Sequence, residues 1–555
     1  MKDFIERNYL WLVGLIFIIF LALRLGGVTI PYHQDEYKWP LYAEEKVFAP
    51  GSIPHPPLTE FIYRIVGQRI GLDNFRLIPL TFSIANFFLL AYLSKIIFDK
   101  RTSLISLLLF SISYFSVLAS LMVDVDGAVM VFFLLLMVTG YMKLRAGNFD
   151  FKSGEWKWLV VLVVAAILGF LVKVSFFIGI SAIILDFAIE KRFFDNKKRL
   201  IKFGLYTLGV MAFLVVVLLG VKLIFPYFDL SKALKYWEHF ARFKDRGWLQ
   251  ILIQGIKSVF YLSPLLILPP LFSNKETINK MRPFALFVVV GLVFYFILFD
   301  FSVGALDRYL AFLIVPLVIL SAKVFDQFVW NGEKIKKSDL VFVVVSSILV
   351  FAIQFANHFV PYVYPKTDWI NRVFDFKWNF LYPFSGGSGP LPFYVSFLFI
   401  VIIWGVCLLF VLVAKFDKGF IKRSLFIVAF LGILYNFVFI EEYQVGKING
   451  SARFLVDDLS SYIKSNENIK DVLVYNDNGG FNIYRMEKYE RRIYAVPDFV
   501  DTYIPIFQKF QGHIMLVNIP RFNPDSLYGN YFASCEIVYE KESVYIGAAV
   551  LNCGK

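Results

Sequence analysis

Long apolar runs fill the chain from its N-terminus to about residue 441, and short charged, Pro-containing or Gly-containing stretches separate them. A membrane-spanning helix needs about 20 mostly apolar residues. Dividing the runs at their polar interruptions predicts thirteen spanning helices. Their approximate bounds are 8–28, 75–98, 103–121, 124–142, 156–173, 175–190, 202–225, 250–272, 283–300, 306–328, 339–360, 392–414 and 422–441. The pattern therefore predicts an α-helical polytopic membrane protein.

The first apolar run resembles a secretory signal because Lys2 and Arg7 precede it. It is, however, longer than the apolar part of a signal peptide, and no small-residue cleavage site precedes the polar stretch at Tyr32. We therefore expect this run to be kept as the first membrane helix.

Composition and charge agree with this class of protein. The chain has 555 residues, of which 58% are hydrophobic and 18% charged, and its mean hydropathy is +0.65. The net charge of +13 comes largely from basic residues in alternate short connections, which the positive-inside rule places in the cytoplasm. The charge therefore indicates topology in the plasma membrane, and we expect no nucleic-acid partner. The basic connections are 95–101, 191–202, 275–282, 334–337 and 415–423.

A cytoplasmic N-terminus and an odd number of helices place the residues after 441 outside the cell. The first outer connection, about 29–74, is long, and its second half has the apolar spacing of a helix lying in the membrane interface. The apolar positions of that helix are Leu58, Phe61, Ile62, Ile65 and Val66.

The composition changes again from about residue 451. An amphipathic helix is predicted over 454–463, followed by short β-rich runs at 472–475, 514–519 and 544–551. The sequence thus predicts a membrane module, 1–441, and a small extracytoplasmic α/β domain, 451–555. Cys535 and Cys553 lie in that domain, where an oxidising location would allow a disulfide, and both the bridged and the free forms stay open.

Two acidic pairs lie at predicted outer helix ends. Asp35 and Glu36 follow the first helix, and Asp124 and Asp126 lie where two apolar runs leave almost no connection. Charges at a membrane surface cleft are costly unless they are used. The second pair either caps an interfacial helix or belongs to a site shared with Asp35.

Three further residues offer cationic or titratable groups on the same predicted face. Lys173 lies between two apolar runs and either extends to lipid headgroups or binds a phosphate. Arg308, followed by Tyr309, opens the tenth predicted helix, and its guanidinium suits phosphate oxygens. His55 is a candidate ligand for substrate, or an incidental residue before the prolines that start a helix.

In their order along the chain, these motifs resemble those of the GT-C glycosyltransferases. Within that class the chain is most similar to the dolichyl-phosphate-mannose protein mannosyltransferase and lipid A aminoarabinose transferase group. The resemblance covers about the first 320 residues. The matching residues are Asp35, Glu36, His55, Pro56, Pro57, Arg76, Pro79, Asp126, Lys173, Arg308, Tyr309 and Pro316.

The resemblance implies an inverting transfer of a hexose or pentose from a polyprenyl-phosphate donor to an acceptor hydroxyl at the outer face of the membrane. Asp35 would be the catalytic base or the carboxylate that orients the acceptor, with Glu36 and Asp126 supporting it. Asp126 is preferred to Asp124 in this comparison, because Gly127 alters the family spacing.

Lys173, Arg308 and Tyr309 would bind the donor phosphate, and His55 and Asp124 the substrates. The chemistry itself requires no cofactor. A divalent metal is a candidate because His33, Asp35, Glu36 and His55 are suitable ligand types, although their spacing forms no metal motif.

The expected partners are a lipid-linked sugar donor, membrane lipids and an acceptor that is a protein, a glycan or a glycolipid. The alternative function is a transporter or flippase of a lipid-linked saccharide. Such proteins usually have internal repeats and ionisable residues at the bilayer midplane. Here the exceptions, Asp186 and Lys222, lie near helix ends, which favours an enzyme. An inactive scaffold is a third candidate.

Overall fold

The computed structural model describes residues 2–44, 57–149, 155–225, 228–240, 246–300, 307–329, 336–362, 367–384, 390–493, 500–518 and 522–554. The chain forms two compact units. The first contains Met1–Val28 and Trp39–Gly332, and the second contains Thr29–Lys38 and Glu333–Lys555. The predicted division into 1–441 and 451–555 stays a prediction.

Helices make up the described part of the first unit, together with short 3-10 and π segments. The π segments are Ile62–Val66 and Phe294–Leu298, and a 3-10 segment covers Asp307–Leu313. The α-helices are α1 (Lys2–Leu25), α2 (Lys38–Ala43), α3 (Pro57–Phe61), α4 (Gly67–Ile70), α5 (Leu77–Ile97), α6 (Lys100–Ile112), α7 (Tyr114–Leu121), α8 (Val129–Ala146), α9 (Trp156–Val172), α10 (Phe177–Glu190), α11 (Lys197–Ile224), α12 (Leu230–Phe240), α13 (Trp248–Ile267), α14 (Lys275–Lys280), α15 (Arg282–Val293) and α16 (Ile314–Val329).

The second unit adds eight α-helices and seven strands among its described residues. The helices are α17 (Lys337–Ala352), α18 (Thr367–Phe374), α19 (Phe397–Phe416), α20 (Ile421–Gln444), α21 (Ala452–Ser465), α22 (Gly480–Arg485), α23 (Val500–Lys509) and α24 (Leu527–Ala533). The strands are β1 (Leu381–Phe384), β2 (Phe393–Ser396), β3 (Val472–Tyr475), β4 (Tyr489–Ile493), β5 (His513–Asn518), β6 (Glu536–Ser543) and β7 (Ile546–Asn552).

Each of the thirteen predicted spans has a helical counterpart, which confirms the polytopic helical fold. By length and composition, nine of the described helical segments are able to cross a membrane, and the bent pair α6 and α7 makes a tenth. The other three counterparts are shorter: α9, α10, and α15 with its following π segment. The sequence therefore predicted where the apolar helices lie, including three that are shorter than a full span.

The third predicted span is broken, with α6 and α7 meeting at 67°. Ser113 has an extended backbone at this point (φ −68°, ψ 123°), which ends α6 and leaves its last carbonyls unbonded within the helix. The buried guanidinium of Arg24 donates to the carbonyls of Ser111 at 3.0 Å and Phe110 at 3.3 Å. A side chain from the first helix thus supplies the partners that the break removes.

The predicted interfacial helix forms as α3, the π segment and α4, a continuous helical stretch from residue 57 to residue 70. Its inner face is fixed by two hydroxyl groups. Thr59 donates to the carbonyl of Val172 at 2.6 Å, and Tyr63 donates to the carbonyl of Asp124 at 2.7 Å. These contacts join the interfacial helix to two places that carry candidate site residues of the first unit: the end of α9 beside Lys173, and the connection that contains Asp124 and Asp126.

The predicted C-terminal α/β fold is confirmed as a five-stranded sheet with the order β4-β3-β5-β7-β6. Strand β3 is parallel to both β4 and β5, whereas β5, β7 and β6 pair antiparallel. The run predicted at 544–551 is divided differently, because Val544 adopts φ 53° and a two-residue turn joins Ser543 of β6 to Ile546 of β7.

Helices α21, α23 and α24 pack on this sheet, and a disulfide joins the end of the chain to it. Ser451 begins α21 by accepting the N–H of Phe454 at 3.2 Å, and the apolar face of α21 is buried. Cys535 and Cys553 are bridged, so of the two alternatives left open by the sequence the bridged one is found.

Candidate active site

In the first unit, Lys173 and Asp126 form an ion pair. Helix α9 ends at Val172, and Lys173 takes an extended backbone before the next helical turn. Its ammonium lies 2.7 and 2.8 Å from the two carboxylate oxygens of Asp126, which is almost fully buried. A buried carboxylate needs such a cation because its desolvation is otherwise uncompensated.

The two acids of this connection have different surroundings. A side-chain oxygen of Asp124 accepts the N–H of Val125 at 2.7 Å, and its backbone carbonyl accepts the hydroxyl of Tyr63. Asp124 thereby stabilises its own loop, whereas Asp126 contacts Lys173. The choice of Asp126 over Asp124 is consistent with this geometry, although the chemical role of either acid stays a prediction.

An aromatic wall supports the Lys173 ammonium. The nitrogen lies 4.0 Å from the ring centre of Tyr309, and the ring of Tyr309 stacks on Tyr295 with centroids 5.9 Å apart. A cation over a tyrosine face is attracted by the ring quadrupole. The structure therefore brings together Asp126, Lys173 and Tyr309; the side chain of Arg308 lies outside the described residues.

A small cavity with mostly apolar walls lies beside this group. Ser175 and Tyr295 are among its lining residues, and both are close neighbours of the ion pair, Ser175 in sequence and Tyr295 through its stacking on Tyr309. The remaining lining residues are Met130, Val131, Leu134, Phe176, Ile178, Gly179, Phe287 and Phe312. The cavity thus combines hydrocarbon walls with a charged neighbour.

In the second unit, Asp35 and Glu36 lie in a short 3-10 turn, Gln34–Glu36. The carboxylate of Glu36 is buried and accepts the backbone N–H of His33 at 3.1 Å, so this acid closes the turn. Asp35 is only half-buried. Of the two, Asp35 has the exposure that a substrate-contacting carboxylate needs.

The segment with Asp35 packs against residues far away in sequence. Tyr32 contacts Phe481 with ring centroids 5.1 Å apart, and Tyr37 contacts Tyr489 at 5.7 Å. Thr29 accepts a hydrogen bond from Arg453 at 2.5 Å. The five-stranded sheet and its helices therefore hold the turn that carries Asp35.

Asp477 is a residue that the sequence reasoning missed. It follows β3, is 1% exposed, accepts the hydroxyl of Tyr489 at 2.7 Å and lies 3.5 Å from the Arg492 guanidinium. Burial, with a smaller contribution from the charge of Asp35, raises the pKa of Asp477 to about 6, although Tyr489 and Arg492 oppose the rise. A second carboxyl thus lies within electrostatic reach of Asp35.

A signal for this residue is present in the sequence. The stretch Asn476-Asp477-Asn478-Gly479-Gly480 directly follows the apolar run 472–475, as loop residues follow a strand. Ligands of α/β sheets bind beyond the carboxyl ends of parallel strands. The pattern marks a strand end but gives no indication that this strand end lies near residue 35.

The remaining predicted site residues are only partly described. His55 lies outside the described residues, so its role stays a prediction. Within the described ranges, no three His, Cys, Asp or Glu side chains are grouped in a way that suits a metal ion. Asp35 and Glu36 belong to the second compact unit and Asp124, Asp126, Lys173 and Tyr309 to the first. Their common location on one outer surface stays a prediction.

Comparisons with known proteins agree with this fold. The family model of dolichyl-phosphate-mannose-protein mannosyltransferases matches residues 54–219. The apo structure of ArnT from Cupriavidus metallidurans is 12% identical with a TM-score of 0.55, and the match covers 98% of this chain and 97% of that one. No curated protein sequence matches the chain.

Two further solved structures are similar at lower scores. ArnT from the same organism bound to undecaprenyl phosphate is 13% identical, with a TM-score of 0.49 and coverage of 98% and 97%. The apo oligosaccharyltransferase of Archaeoglobus fulgidus is 12% identical, with a TM-score of 0.47 and coverage of 93% of this chain and 70% of that one.

The apolar helices and the C-terminal sheet define a multi-pass membrane protein with an appended α/β fold. The protein shares the fold of ArnT along nearly the whole chain, and its residues 54–219 match the family model of the dolichyl-phosphate-mannose-protein mannosyltransferases. The resemblance predicted from the sequence motifs is thereby confirmed.

Proposed function

We propose that the protein transfers a hexose or pentose from a polyprenyl-phosphate donor to an acceptor hydroxyl at the outer face of the membrane, with inversion at the anomeric carbon. The observation that carries the proposal is the Lys173 ammonium, held over Tyr309 beside an apolar cavity. A polyprenyl phosphate has both parts that such a place suits, a hydrocarbon chain and an anionic head.

Lys173 is able to bind a phosphate while it is paired with Asp126. An ammonium has three N–H donors, and the two contacts with Asp126 take up at most two of them. Asp126 orients the ammonium, and Tyr309 stabilises it from the side. In this proposal Arg308 adds a second cation for the phosphate, and Asp124 and His55 contact the substrates.

Asp35 is the proposed base. In an inverting transfer the acceptor oxygen attacks the anomeric carbon, the bond from that carbon to the phosphate oxygen breaks, and its electron pair leaves with the polyprenyl phosphate. The acceptor proton passes to the Asp35 carboxylate, and Lys173 offsets the charge that develops on the leaving phosphate. Glu36 supports Asp35 by closing its turn.

Two features of related proteins support the choice of donor. The matching family is described by its use of dolichyl-phosphate-mannose, and ArnT has been solved with undecaprenyl phosphate. Dolichyl-phosphate-mannose and undecaprenyl phosphate are both polyprenyl-phosphate compounds. Neither feature identifies the acceptor or the sugar that this protein uses.

The test uses a deletion strain and mass spectrometry of its envelope glycans, glycolipids and glycoproteins. We expect one sugar linkage to disappear, to return with the wild-type gene, and to stay absent with Asp35→Asn. The exposed Asp525 gives a matched control, and Asp525→Asn should restore the linkage. Restoration by Asp35→Asn at wild-type level would end the assignment of Asp35.

Reconstituted vesicles separate the enzyme from the alternative flippase. A transferase releases one polyprenyl phosphate for each sugar transferred, whereas a flippase moves intact lipid-linked saccharide between leaflets and releases none. NMR of the product linkage then tests inversion, because the anomeric configuration must be opposite to that of the donor.

A further inference from the structure

The loop that follows β3 has an unusual backbone. Asn476, Asp477 and Gly479 all have positive φ, at 53°, 52° and 77°. Left-handed backbone is tolerated by Asn and Asp and favours Gly. A Cβ on Gly479 would also lie 2.3 Å from a methyl group of Val456, so the loop is held closely against α21. Strain of this kind is retained at binding sites more often than elsewhere.

The loop also carries a buried amide that the fold does not use. Asn478 is 1% exposed, and neither its side-chain nitrogen nor its side-chain oxygen has a hydrogen-bond partner among the described residues. Leaving a buried polar group unsatisfied costs about 1–3 kcal/mol. An amide retained at such a cost is expected to bond to something outside the protein chain.

A second such atom lies in the other segment of the site. The side-chain oxygen of Gln34, which precedes Asp35, is buried and has no partner in the described part of the chain. Each aspartate therefore has beside it in sequence an amide with unused hydrogen-bonding capacity.

The chemistry of this set matches a polyhydroxylated ligand. Carboxylates accept hydrogen bonds from hydroxyl groups, and an asparagine amide both donates and accepts. Aromatic rings at Tyr37 and Tyr489 lie in the same group of residues and offer flat apolar surface. A sugar ring presents several hydroxyls and an apolar face, whereas a serine or threonine in a peptide presents one hydroxyl.

We propose that the loop Asn476–Gly480 and the Asp35 turn form the acceptor subsite, and that the acceptor is a saccharide. This inference rests on the proposed function and deepens it. Asp35 takes the proton of the attacking hydroxyl, while Asp477 and Asn478 bond to neighbouring hydroxyls of the same ring. Asp477 and Asn478 are positioning residues in this scheme.

The experiment measures ligand binding to the full-length protein in lipid nanodiscs, by saturation-transfer NMR. The probes are the methyl glycosides of mannose, glucose, galactose and N-acetylglucosamine, together with a threonine-containing octapeptide blocked at both ends. We expect at least one glycoside to bind and the peptide not to bind. Asn478→Ala and Asp477→Asn should each weaken glycoside binding at least tenfold.

Two exposed residues of the same domain provide matched controls. Asp471→Asn and Asn468→Ala should leave the affinity within about twofold of wild type. Thermal unfolding separates binding from folding, because removing an amide that makes no internal hydrogen bond should not lower the melting temperature. Asn is also compatible with the positive φ of residue 477, so Asp477→Asn keeps the loop conformation.

The inference is overturned if no glycoside binds, if the peptide binds instead, or if glycoside binding is the same in Asn478→Ala and Asp477→Asn as in wild type. These outcomes are independent of catalysis. Glycoside binding that depends on the loop, in a protein that transfers no sugar, would overturn the proposed function and keep the saccharide subsite. Sugar transfer without loop-dependent glycoside binding would overturn the saccharide subsite and keep the proposed function.

Discussion

Lys173 and Asp126 are 47 residues apart in the chain, yet the ammonium bridges both carboxylate oxygens at 2.7 and 2.8 Å. Asp126 is 2% exposed, so its charge depends on compensation from this cation. Such a pair contributes to folding and to the site at once, and mutagenesis separates the two roles.

Lys173→Met should destabilise the protein, because it leaves the Asp126 carboxylate buried without its cation. Breaking a buried pair costs about 3–5 kcal/mol. Adding Asp126→Asn should recover most of that loss, since no buried charge remains. We expect sugar transfer to stay at least a hundredfold below wild type in both variants. Thermal unfolding and transfer rates check this, and a double variant with full activity would exclude Lys173 from donor binding.

The stability of the second unit should depend on Asp477 between about pH 4 and pH 6. The folded protein keeps this proton up to a pKa of about 6, whereas the unfolded chain releases it near the ordinary value of 3.8. In that window the unfolded state binds fewer protons, so stability from this group falls as pH rises. The Asp477 carboxyl is faced by Arg492, Tyr489, Tyr37 and Asp35. Arg492 and Tyr489 oppose the rise of its pKa and so limit this dependence of stability on pH.

The measurement compares the melting temperature of wild type with that of Asp477→Asn from pH 4 to pH 7. The difference in melting temperature between the two proteins should change from pH 4 to pH 6 and be constant above pH 6. Asp471→Asn, at an exposed position, should differ from wild type by a constant amount. A pH-independent difference for Asp477→Asn would show that its pKa is ordinary.

Gly479→Ala should be strongly destabilising, because residue 479 needs φ 77° and a Cβ there would meet Val456 at 2.3 Å. We expect a loss of more than about 2 kcal/mol, combining backbone strain with a steric clash. Gly547→Ala is the control, since its Cβ would come no nearer than 3.7 Å to any neighbour. Equal melting temperatures for the two variants would contradict the loop conformation.

The disulfide between Cys535 and Cys553 closes a loop with a separation of 18 residues. A cross-link of this size stabilises by about 3 kcal/mol, chiefly through the unfolded chain. Replacing both cysteines by serine should lower the stability of the C-terminal fold by that amount. Dithiothreitol should lower the melting temperature of wild type and leave the variant unchanged. Peptide mapping without reduction that finds both thiols free would refute the bridge.

The sequence predicted the apolar helices because burial in a bilayer depends on local composition, and each predicted span has a helix. It did not predict the break between α6 and α7. Arg24 satisfies carbonyls 86 and 87 residues further along, and no local pattern records such a partner. Ser113 alone is an ordinary residue in an apolar run.

In the candidate site, too, the sequence indicates single residues but not their long-range contacts. Asp35, Asp126 and Lys173 stand out in the sequence as candidates because charge is conspicuous beside apolar runs. The motifs do not predict the pairing of Lys173 with Asp126, because they imply a separate role for each residue. Asp477 was missed because its loop resembles any polar turn after a strand, and its relation to Asp35 spans more than four hundred residues. Motif order therefore indicates candidate residues but not the contacts between them.

The packing of the Thr29–Lys38 segment within the second unit also has a consequence for biosynthesis. Asp35 is synthesised early in translation. Phe481 and Tyr489, which pack against the turn that carries Asp35, are synthesised only near its end. Nascent chains shorter than about 490 residues would carry Asp35, the proposed base, without its support. Activity would then appear only after the last part of the chain has been made and folded.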